Sequence, residues 1–165
     1  MQQSVYESPL GQIFLWFYEG ELVYATFRED QGNTWLAKHF AQVSWAKEPL
    51  QKGFQEDLDS YFRGQKVDFK WPLQLIGTDF QKKVWHEIEQ IGHGQFTTYK
   101  KIGENLGTKA FRAIGQACGA NPISLIVPCH RVLGANSLGG YGGGLNLKRL
   151  LLELENVTLA PNFLA

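Results

Sequence analysis

The sequence predicts an α+β fold in which β-strands begin the chain and helices dominate its second part. Two runs rich in aromatic and β-branched residues, Ile13 to Tyr18 and Glu21 to Phe27, flank a Glu19-Gly20 turn and predict a β-hairpin. Apolar residues recur at helical spacing from Trp35 onward. With 165 residues, 44% of them apolar, the chain is long enough to bury a substantial core.

Two helices are expected between the hairpin and Gly64. Their apolar positions are Trp35, Leu36, His39 and Phe40 in the first, and Phe54, Leu58, Tyr61 and Phe62 in the second. The segment Val67 to Ile76 is a weaker strand or an extended linker, because Pro72 interrupts it. None of these residues forms a catalytic pattern, so we interpret residues 1–76 as a scaffold domain.

The formal net charge of zero hides a difference between the two parts of the chain. Residues 1–76 carry 7 basic and 10 acidic residues, whereas residues 77–165 carry 9 basic and 6 acidic ones. This asymmetry predicts an acidic scaffold domain, 1–76, followed by a modestly basic second domain, 77–165. The average charge excludes a strongly basic nucleic-acid binder.

Composition excludes several further classes of protein. No run approaches the roughly 18 consecutive apolar residues of a membrane helix, and Met1 to Leu10 lacks the pattern of a signal peptide. A cytoplasmic protein is therefore expected. The two cysteines, Cys118 and Cys129, cannot build a multi-disulfide framework, and no Cys/His cluster has zinc-ligand spacing. We expect two free thiols.

The second domain begins with three predicted helices. Thr78-x-x-Gln81 is a capping-box pattern. The apolar face that follows it consists of Phe80, Val84, Ile88 and Ile91. A second helix covers Thr98 to Leu106, and Thr108 is expected to cap a third that ends near Gly119. Two short helices joined by a glycine-containing turn suggest a helix-turn-helix.

The third of these helices has a polar stripe. At about 100° per residue, Lys109, Arg112 and Gln116 share one face bordered by Ala113, opposite Phe111, Ile114 and Cys118. Together with Lys100 and Lys101 on the preceding helix, the stripe forms a basic helix pair suited to DNA phosphates. An ordinary solvated helix face explains the same pattern. Cys118, on the inward face, is expected to be structural.

Cys129 follows a buried-strand candidate, Ile123 to Val127. Pro128 places it at a rigid corner, because proline fixes φ. The adjacent His130 and Arg131 favour the thiolate if their side chains face the sulfur. A free cysteine is also commonly a small core residue, and a protease-like dyad normally takes its base from elsewhere in the chain. The sequence around Cys129 therefore leaves open whether it is a reactive thiol, a small core residue or part of a protease-like dyad.

Two further features follow the cysteine. The stretch Leu138 to Gly144, which we call the glycine loop, is rich in glycine but matches no nucleotide-binding motif. It is therefore a tight loop or a main-chain surface for a flat ligand. An amphipathic last helix is predicted from Leu147, Leu150, Leu151 and Leu154. On its wheel Glu155 lies at the edge of the apolar face, whereas Glu153 points to solvent. Glu155 is therefore the better candidate for a buried carboxylate that orients a histidine.

These motifs together resemble the O6-alkylguanine-DNA alkyltransferase family. The residues concerned are Ala120-Asn121-Pro122, Val127-Pro128-Cys129-His130-Arg131-Val132, Gly139-Gly140-Tyr141-Gly142-Gly143-Gly144-Leu145 and Lys148 to Glu155. The resemblance extends from Gly77 to Glu155, and residues 1–76 match only in outline. It implies a ribonuclease-H-like α/β domain followed by a mainly helical helix-turn-helix domain that carries the active-site cysteine.

The resemblance implies DNA repair by irreversible, single-turnover alkyl transfer. The helix-turn-helix would enter the minor groove of double-stranded DNA, and the damaged O6-alkylguanine would be flipped out of the stack. The alkyl group then passes to Cys129, and no cofactor is implied. We expect a monomer. Cooperative assembly on DNA, the range of alkyl groups and repair of O4-alkylthymine are left open.

The resemblance also implies roles for individual residues. Cys129 matches the nucleophile, His130 the base that deprotonates it through a water, and Glu155 the residue that orients His130. Tyr99 matches a tyrosine that donates to a guanine ring nitrogen, and Arg112 an arginine finger that fills the gap left by the flipped base. Further DNA contacts are assigned to Lys100, Lys101, Lys109, Ala113 and Gln116. The substrate pocket is assigned to Asn121, Tyr141, Gly142, Gly143 and the carbonyls of Val127 and Cys129.

Three features depart from the family pattern. Gly142 stands where many relatives have serine, so its main-chain N–H must replace a hydroxyl contact. Phe111 stands where alanine is usual, and the helical wheel turns its ring inward. The first domain lacks the cysteines and histidines that hold zinc in some relatives, so we predict no metal.

Three other functions compete with alkyl transfer. A non-enzymatic lesion-binding relative would carry another residue in place of Cys129. A transcriptional helix-turn-helix protein would explain the basic stripe but would leave the cysteine corner and the glycine loop unused. A thiol hydrolase would turn over a small ester or peptide.

Overall fold

The computed structural model describes residues 1–163 and divides the chain into two units. The first unit consists of Met1–Ile76 and Pro122–Ser124. The second consists of Gly77–Asn121 and the described residues from Leu125 onward. Leu164 and Ala165, the end of the predicted second domain, lie outside the described residues. The division of labour between a scaffold and a DNA-binding domain stays a prediction.

A four-stranded sheet forms the centre of the first unit. Its strands are β1 (Gln2–Ser8), β2 (Gly11–Tyr18), β3 (Glu21–Thr26) and β4 (Ala46–Lys47), in the order β3-β2-β1-β4. The predicted hairpin is the antiparallel pair β2–β3. Its turn residues Glu19 and Gly20 both have positive φ, which gives the tight two-residue turn that matches strand twist.

Strand β1 was not predicted, although it lies between β2 and β4 in the sheet. Two of its buried side chains, Gln3 and Ser4, are polar, and this removes the alternation of apolar and polar residues that identifies a strand. The Gln3 side chain donates to Glu29 at 3.1 Å, so a specific hydrogen bond accompanies its burial.

The helices α1 (Glu29–His39) and α2 (Lys52–Phe62) confirm the two predicted helices of the first unit. Leu36 of α1 belongs to a buried cluster with Phe14, Trp16 and Val23. Phe54 of α2 stacks on Phe17 at a centroid distance of 5.3 Å. Since both helices bury residues of β2, that strand is a nearly continuous apolar run.

Two extended segments pair with β3. Leu22 exchanges main-chain hydrogen bonds with residues 72 and 74, so the stretch containing Pro72 is extended as expected. Ile123 forms a single bridge to Ala25. The predicted strand from Ile123 to Val127 is wrong, because Leu125 adopts a φ of 76° and turns the chain. The apolar run is buried without a strand ladder.

The second unit is mainly helical. Its elements are α3 (Asp79–Glu89), β5 (Thr97–Thr98), α4 (Tyr99–Asn105), α5 (Phe111–Gly119), β6 (Val132–Leu133), α6 (Leu145–Leu154) and 3-10 turns at Cys129–Arg131 and Pro161–Phe163. The predicted capping box is present, because Thr78 and Gln81 bond each other's main-chain N–H. Strands β5 and β6 pair in parallel.

Helices α4 and α5 confirm the predicted helix-turn-helix pattern, but one cap is different. Thr108 does not cap α5, which begins at Phe111 after Ala110. The Thr108 hydroxyl instead accepts from the Ala110 N–H at 3.1 Å, within the turn. A threonine near a helix start therefore stabilises the turn before the helix.

The described residues, 1–163, were also searched for two features of other protein classes. No helix among them is both long and apolar enough to span a membrane. They contain no group of three or more His, Cys, Asp or Glu residues placed to hold a metal ion.

Candidate active site

Cys129 lies at a tight turn of the main chain. Pro128 has φ −82° and ψ 65°, and the Cys129 N–H donates to the Val127 carbonyl at 2.8 Å, which is an inverse γ-turn. The predicted rigid corner is therefore confirmed. Cys129 is only 8% exposed, and burial raises the pKa of its thiol, opposed by a hydrogen bond from Asn121 and the charge of Lys148. The thiol keeps its proton at neutral pH, so a base is needed to form the thiolate.

Asn121 braces this turn. Its side-chain amide donates to the Val127 carbonyl at 2.7 Å. The same oxygen accepts the Cys129 N–H, so both of its lone pairs are used, and Val127 is fully buried. The structure therefore does not favour the expectation that the Val127 carbonyl binds a base.

His130 and Glu155 form a buried pair. His130 Nε2 lies 2.7 Å from Glu155 Oε1, and neither side chain is exposed. Glu155 follows the last residue of α6, whereas Glu153 is exposed beside Arg149. The expectation that Glu155 is the buried carboxylate of this helix is confirmed.

The surroundings of the pair shift the pKa values of both groups. Burial lowers the pKa of His130, opposed by Glu155 and assisted by the charges of Arg131 and Lys148. For Glu155, burial alone would raise the pKa, but His130 and Arg131 outweigh it and hold the pKa well below its usual range. These two directions favour a neutral imidazole beside a carboxylate. Because a carboxylate only accepts, we infer that His130 Nε2 carries the proton.

This tautomer leaves His130 Nδ1 as a proton acceptor. Nδ1 is buried and has no hydrogen-bond partner in the described part of the chain. The ring of Tyr141 lies edge-on to the imidazole at a centroid distance of 6.4 Å. An acceptor nitrogen with no protein partner, on the residue next to the thiol, has the chemistry of a general base.

The Arg131 side chain bonds Glu155. Its Nε and Nη2 donate to Glu155 at 2.8 and 3.0 Å, and its Nη1 donates to the Ile91 carbonyl at 2.6 Å. Its guanidinium therefore pairs with a carboxylate, so the condition that Arg131 faces the sulfur and favours the thiolate is not met. Adjacency in sequence did not reveal which way the side chain points.

A cavity of about 110 Å³ opens beside Cys129. It is lined by Tyr99, Gly115, Cys118, Gly119, Cys129, Gly140, Tyr141 and Gly142. Half of these residues are glycines, so main chain forms much of the wall and suits close approach of a flat ligand. Of the predicted pocket residues, Tyr141 and Gly142 line the cavity, whereas Asn121, Val127 and Gly143 do not.

The glycine loop packs on Tyr99, the first residue of α4. The Tyr99 hydroxyl accepts from the Gly140 N–H at 3.3 Å, so its own proton is free for donation. Gly139 has a φ of 71°, and a Cβ there would lie 2.7 Å from the Tyr99 oxygen. Burial raises the pKa of Tyr99, which therefore stays protonated. By contrast, a Cβ at Gly142 would meet no atom within 4 Å, so a serine fits there.

Lys148 belongs to the site but was not assigned a role from sequence. It is fully buried, and its Nζ donates to the carbonyls of Val132 at 2.6 Å and Gly140 at 3.0 Å. Burial lowers its pKa to about 8, and this shift is opposed by the neighbouring Cys129 and Cys118. A sequence signal existed, since Lys148 lies three and four residues before Leu151 and Leu152, on the apolar face of α6.

Cys118 is more than a structural core residue. It is 6% exposed, as its inward position predicted, but its side chain also lines the cavity beside Cys129. Burial raises the pKa of its thiol to about 12, so Cys118 lines the cavity as a protonated thiol at neutral pH. The helical wheel placed it inward without revealing that the cavity lies there.

The polar stripe of α5 lies at the surface. The prediction that Lys109 belongs to this helix face is wrong, because α5 begins at Phe111 and Lys109 lies in the preceding turn. Lys109, Arg112 and Gln116 are all exposed, Ala113 is half-buried, and Ile114 is buried on the opposite side. Phe111 departs from the prediction, since its residue is 39% exposed. The ring packs on Gly103 of α4, where a Cβ would lie 2.7 Å from it.

Lys100 and Lys101 are also exposed, on α4. Each ammonium lies 3.9 Å from a carboxylate oxygen of Glu104. Because these contacts are long and solvent-exposed, they hold the lysines weakly, and both remain available to an anionic partner.

Two family models match the chain. One, described as 6-O-methylguanine DNA methyltransferase, ribonuclease-like domain, matches residues 1–75, and the DNA binding domain of the same enzyme matches residues 79–157. The methylated-DNA–protein-cysteine methyltransferase of Methanosarcina acetivorans is 40% identical over 158 residues, which cover 94% of this chain and 98% of that relative. The chain belongs to the 6-O-methylguanine DNA methyltransferase family.

Other 6-O-methylguanine DNA methyltransferases agree with this assignment. The Mycobacterium bovis methylated-DNA–protein-cysteine methyltransferase is 46% identical over 118 residues, 70% of this chain and 72% of the relative. The crystal structure of Mycobacterium tuberculosis OGT in complex with DNA matches with a TM-score of 0.80 and 38% identity, covering 94% of this chain and 92% of that one. The α+β fold with a ribonuclease-like first domain is confirmed.

Proposed function

We propose that this protein repairs DNA by transferring the alkyl group of O6-alkylguanine to Cys129. The observation that carries the proposal is the position of Cys129 in a cavity with glycine walls, next to the buried His130–Glu155 pair. A glycine-walled cavity suits a planar base, and the neutral imidazole suits removal of the thiol proton. The names of the relatives support the same reaction.

The transfer is a displacement at the alkyl carbon. The thiol proton passes from Cys129 to His130 Nδ1 through a water, and Glu155 holds the imidazole in the accepting tautomer. The sulfur then bonds to the carbon while the carbon–oxygen bond to guanine O6 breaks. The electron pair of that bond remains with guanine, and the thioether on Cys129 is stable. Each molecule therefore reacts once, without a cofactor.

Tyr99 neutralises the leaving group in this proposal. Its hydroxyl accepts from Gly140, so its proton can be donated to a ring nitrogen of the departing guanine. Asn121 acts indirectly by bracing the cysteine turn. The N–H of Gly142 replaces the hydroxyl that serine supplies in many relatives.

The surface of α4 and α5 is proposed to bind double-stranded DNA. The solved DNA complex of the Mycobacterium tuberculosis relative supports a DNA-binding role for this fold. We infer that α5 enters the minor groove and that Arg112 occupies the space left when the damaged base is flipped out. Lys109, Ala113 and Gln116 would contact the groove beside it, and Lys100 and Lys101 would contact phosphates.

The remaining expectations belong to the same proposal. A cytoplasmic location fits the two free cysteines, because reducing compartments keep thiols free. We propose a monomer that binds DNA, in which residues 1–76 form the scaffold domain and residues 77–165 carry the chemistry.

The competing functions each leave an observation unexplained. A lesion-binding protein without transfer has no use for a thiol beside a general base. A transcriptional helix-turn-helix protein has no use for the cavity. A thiol hydrolase has no use for the exposed Lys109, Arg112 and Gln116 just before and on the outer face of α5.

Mass spectrometry tests the transfer directly. After incubation with DNA that contains O6-methylguanine, the peptide carrying Cys129 should gain one methylene equivalent, about 14 Da, as expected for covalent transfer to a nucleophile. Undamaged DNA should give no shift, and one protein should consume one lesion. Absence of the shift at this peptide rejects the proposal.

The second cysteine supplies a matched control. Cys129→Ser should abolish transfer and retain DNA binding, while Cys118→Ser should still be methylated at Cys129. Methylation of Cys118 in wild-type protein would place the nucleophile elsewhere. Turnover of a small ester by wild type, lost in Cys129→Ser, would support the hydrolase instead.

A further inference from the structure

We propose that Arg131 is a positioning residue that keeps His130 a neutral proton acceptor by neutralising Glu155. The inference rests on the proposed function, in which His130 removes the proton of Cys129. Arg131 does not line the cavity, so it acts through Glu155 and touches no reacting atom.

The geometry around Glu155 carries this proposal. Oxygen Oε1 accepts from His130 Nε2 at 2.7 Å and from Arg131 Nη2 at 3.0 Å. Oxygen Oε2 accepts from Arg131 Nε at 2.8 Å and from the Gly94 N–H at 3.3 Å. Arg131 therefore holds both carboxylate oxygens in a side-on bidentate pair, the strongest geometry available to such ions.

The guanidinium is fixed in this position. Its third nitrogen, Nη1, donates to the carbonyl of Ile91, just beyond α3, at 2.6 Å. The Arg131 side chain is 8% exposed and that of Glu155 is not exposed at all. A full positive charge is thus held against both oxygens of the carboxylate, including the oxygen Oε1 that His130 contacts.

Without that charge, the buried pair would bind an extra proton. An isolated buried carboxylate favours the imidazolium form of a histidine beside it. The proton would reside on His130, or on Glu155 with His130 Nδ1 protonated instead, and in both forms His130 Nδ1 cannot accept. Arg131 therefore decides whether the base is available near neutral pH.

The other ionisable groups that face His130 do not replace Arg131. Lys148 of α6 bears a positive charge that also lowers the pKa of His130, but its ammonium bonds two main-chain carbonyls, whereas Arg131 bonds the Glu155 carboxylate directly. Tyr141 and Cys129 both keep their protons, because burial raises the pKa of each. Helix α3 also packs on the turn, and its buried residues are the apolar Val84, Trp85 and Ile88.

The test is the pH dependence of single-turnover transfer, measured from about pH 5.5 to about pH 9. Arg131→Met should raise the midpoint of the acidic limb by about one unit or more, with about a tenfold loss of rate near pH 6.5 and recovery at alkaline pH. Arg131→Lys keeps a charge and should keep a midpoint close to wild type, at a lower rate. Arg149→Met, at an exposed arginine of α6, is the matched control and should not move the midpoint.

The outcomes separate this inference from the proposed function. If Arg131→Met slows transfer equally at every pH with an unmoved midpoint, Arg131 is only structural and the inference is wrong. If wild type transfers no alkyl group at any pH, the proposed function itself fails.

A measurement on wild type covers the case in which Arg131→Met does not fold. Nitrogen NMR of the histidine rings, with His130→Gln for assignment, should show a neutral His130 protonated at Nε2 at about pH 7. An imidazolium at that pH overturns the inference without any arginine variant.

Discussion

The two units of the chain bury different kinds of side chain. The buried polar residues of the first unit are Gln3, Ser4 and Thr26, all uncharged. Those of the second are Asn121, His130, Arg131, Lys148 and Glu155. Within residues 1–163, every buried histidine, lysine, arginine or glutamate thus belongs to the unit that contains Cys129.

This difference suggests that the buried residues of the first unit serve stability, whereas the buried ionisable residues of the second serve the reaction. The first unit packs aromatic rings closely, as in the stacks of Phe17 on Phe54 and Tyr6 on Phe62, and avoids the cost of removing charge from water. The second unit accepts that cost, which is tolerable only because each buried ion is paired or hydrogen-bonded. Comparison of the units indicates which residues could be replaced for stability and which serve the reaction.

The largest expected effect on stability lies in the first unit. Leu36→Ala removes an aliphatic side chain from the cluster with Phe14, Trp16 and Val23, and should destabilise the protein by about 2–5 kcal/mol. Urea unfolding followed by tryptophan fluorescence should detect it, since four of the five tryptophans precede residue 77. The matched control Leu145→Ala, at a 50% exposed leucine, should change stability by less than about 0.5 kcal/mol. Equal effects at the two leucines would contradict the apolar-core description of this unit.

A smaller effect is expected from the buried lysine of the second unit. Lys148→Met leaves the carbonyls of Val132 and Gly140 without their donor, which should cost about 1–3 kcal/mol of the free energy of unfolding. Transfer should also slow, because Gly140 contacts Tyr99. Thermal unfolding and single-turnover assays measure the two effects. Lys83→Met, at an exposed lysine of α3, should change neither. An unchanged Lys148→Met protein would mean that its ammonium does not hold the loop.

The smallest effect is a slope of stability against pH. Burial lowers the pKa of His130, so below about pH 6.5 the unfolded chain binds a proton that the folded chain does not. Stability should therefore fall as pH drops from about 7 to about 5, by at most about 1.4 kcal/mol per pH unit for this one proton. Since the pKa of Glu155 is also lowered, a further fall should begin below about pH 4.5.

Two histidine variants locate that slope. His130→Gln should flatten the slope of the melting temperature between about pH 7 and about pH 5 and leave the fall at lower pH. His39→Gln, at an exposed residue of α1, should leave most of the slope in place. If His39→Gln flattens the slope and His130→Gln does not, the titrating group belongs to the first unit. That result would contradict the contrast drawn between the two units.

Sequence predicted those elements in which local signals agree. The hairpin carries a turn of two residues with positive φ between apolar runs, and α3 carries both partners of its capping box. Strand β1 was missed because Gln3 and Ser4, which are polar, occupy buried positions. The run from Ile123 to Val127 was misassigned because burial alone does not distinguish a strand from a turn containing Leu125.

For the candidate site, sequence predicted positions better than partners. Helical spacing placed Glu155 inward at the end of α6 and Arg112 outward on α5, because the face of a residue follows from its position within its own helix. The direction of Arg131 depends on Glu155 and Ile91, which lie 24 and 40 residues away in the chain. Likewise, the contacts of Lys148 join α6 to β6 and the glycine loop. No local pattern encodes such long-range contacts.

The enclosure of Cys129 has a consequence for the lifetime of the unreacted protein. A thiol that is 8% exposed and protonated at neutral pH reacts slowly with small electrophiles dissolved around it. A protein that can react once is lost by any such encounter. Enclosure therefore lowers the rate of reaction with dissolved electrophiles. Active molecules are preserved until an alkylated base enters the cavity.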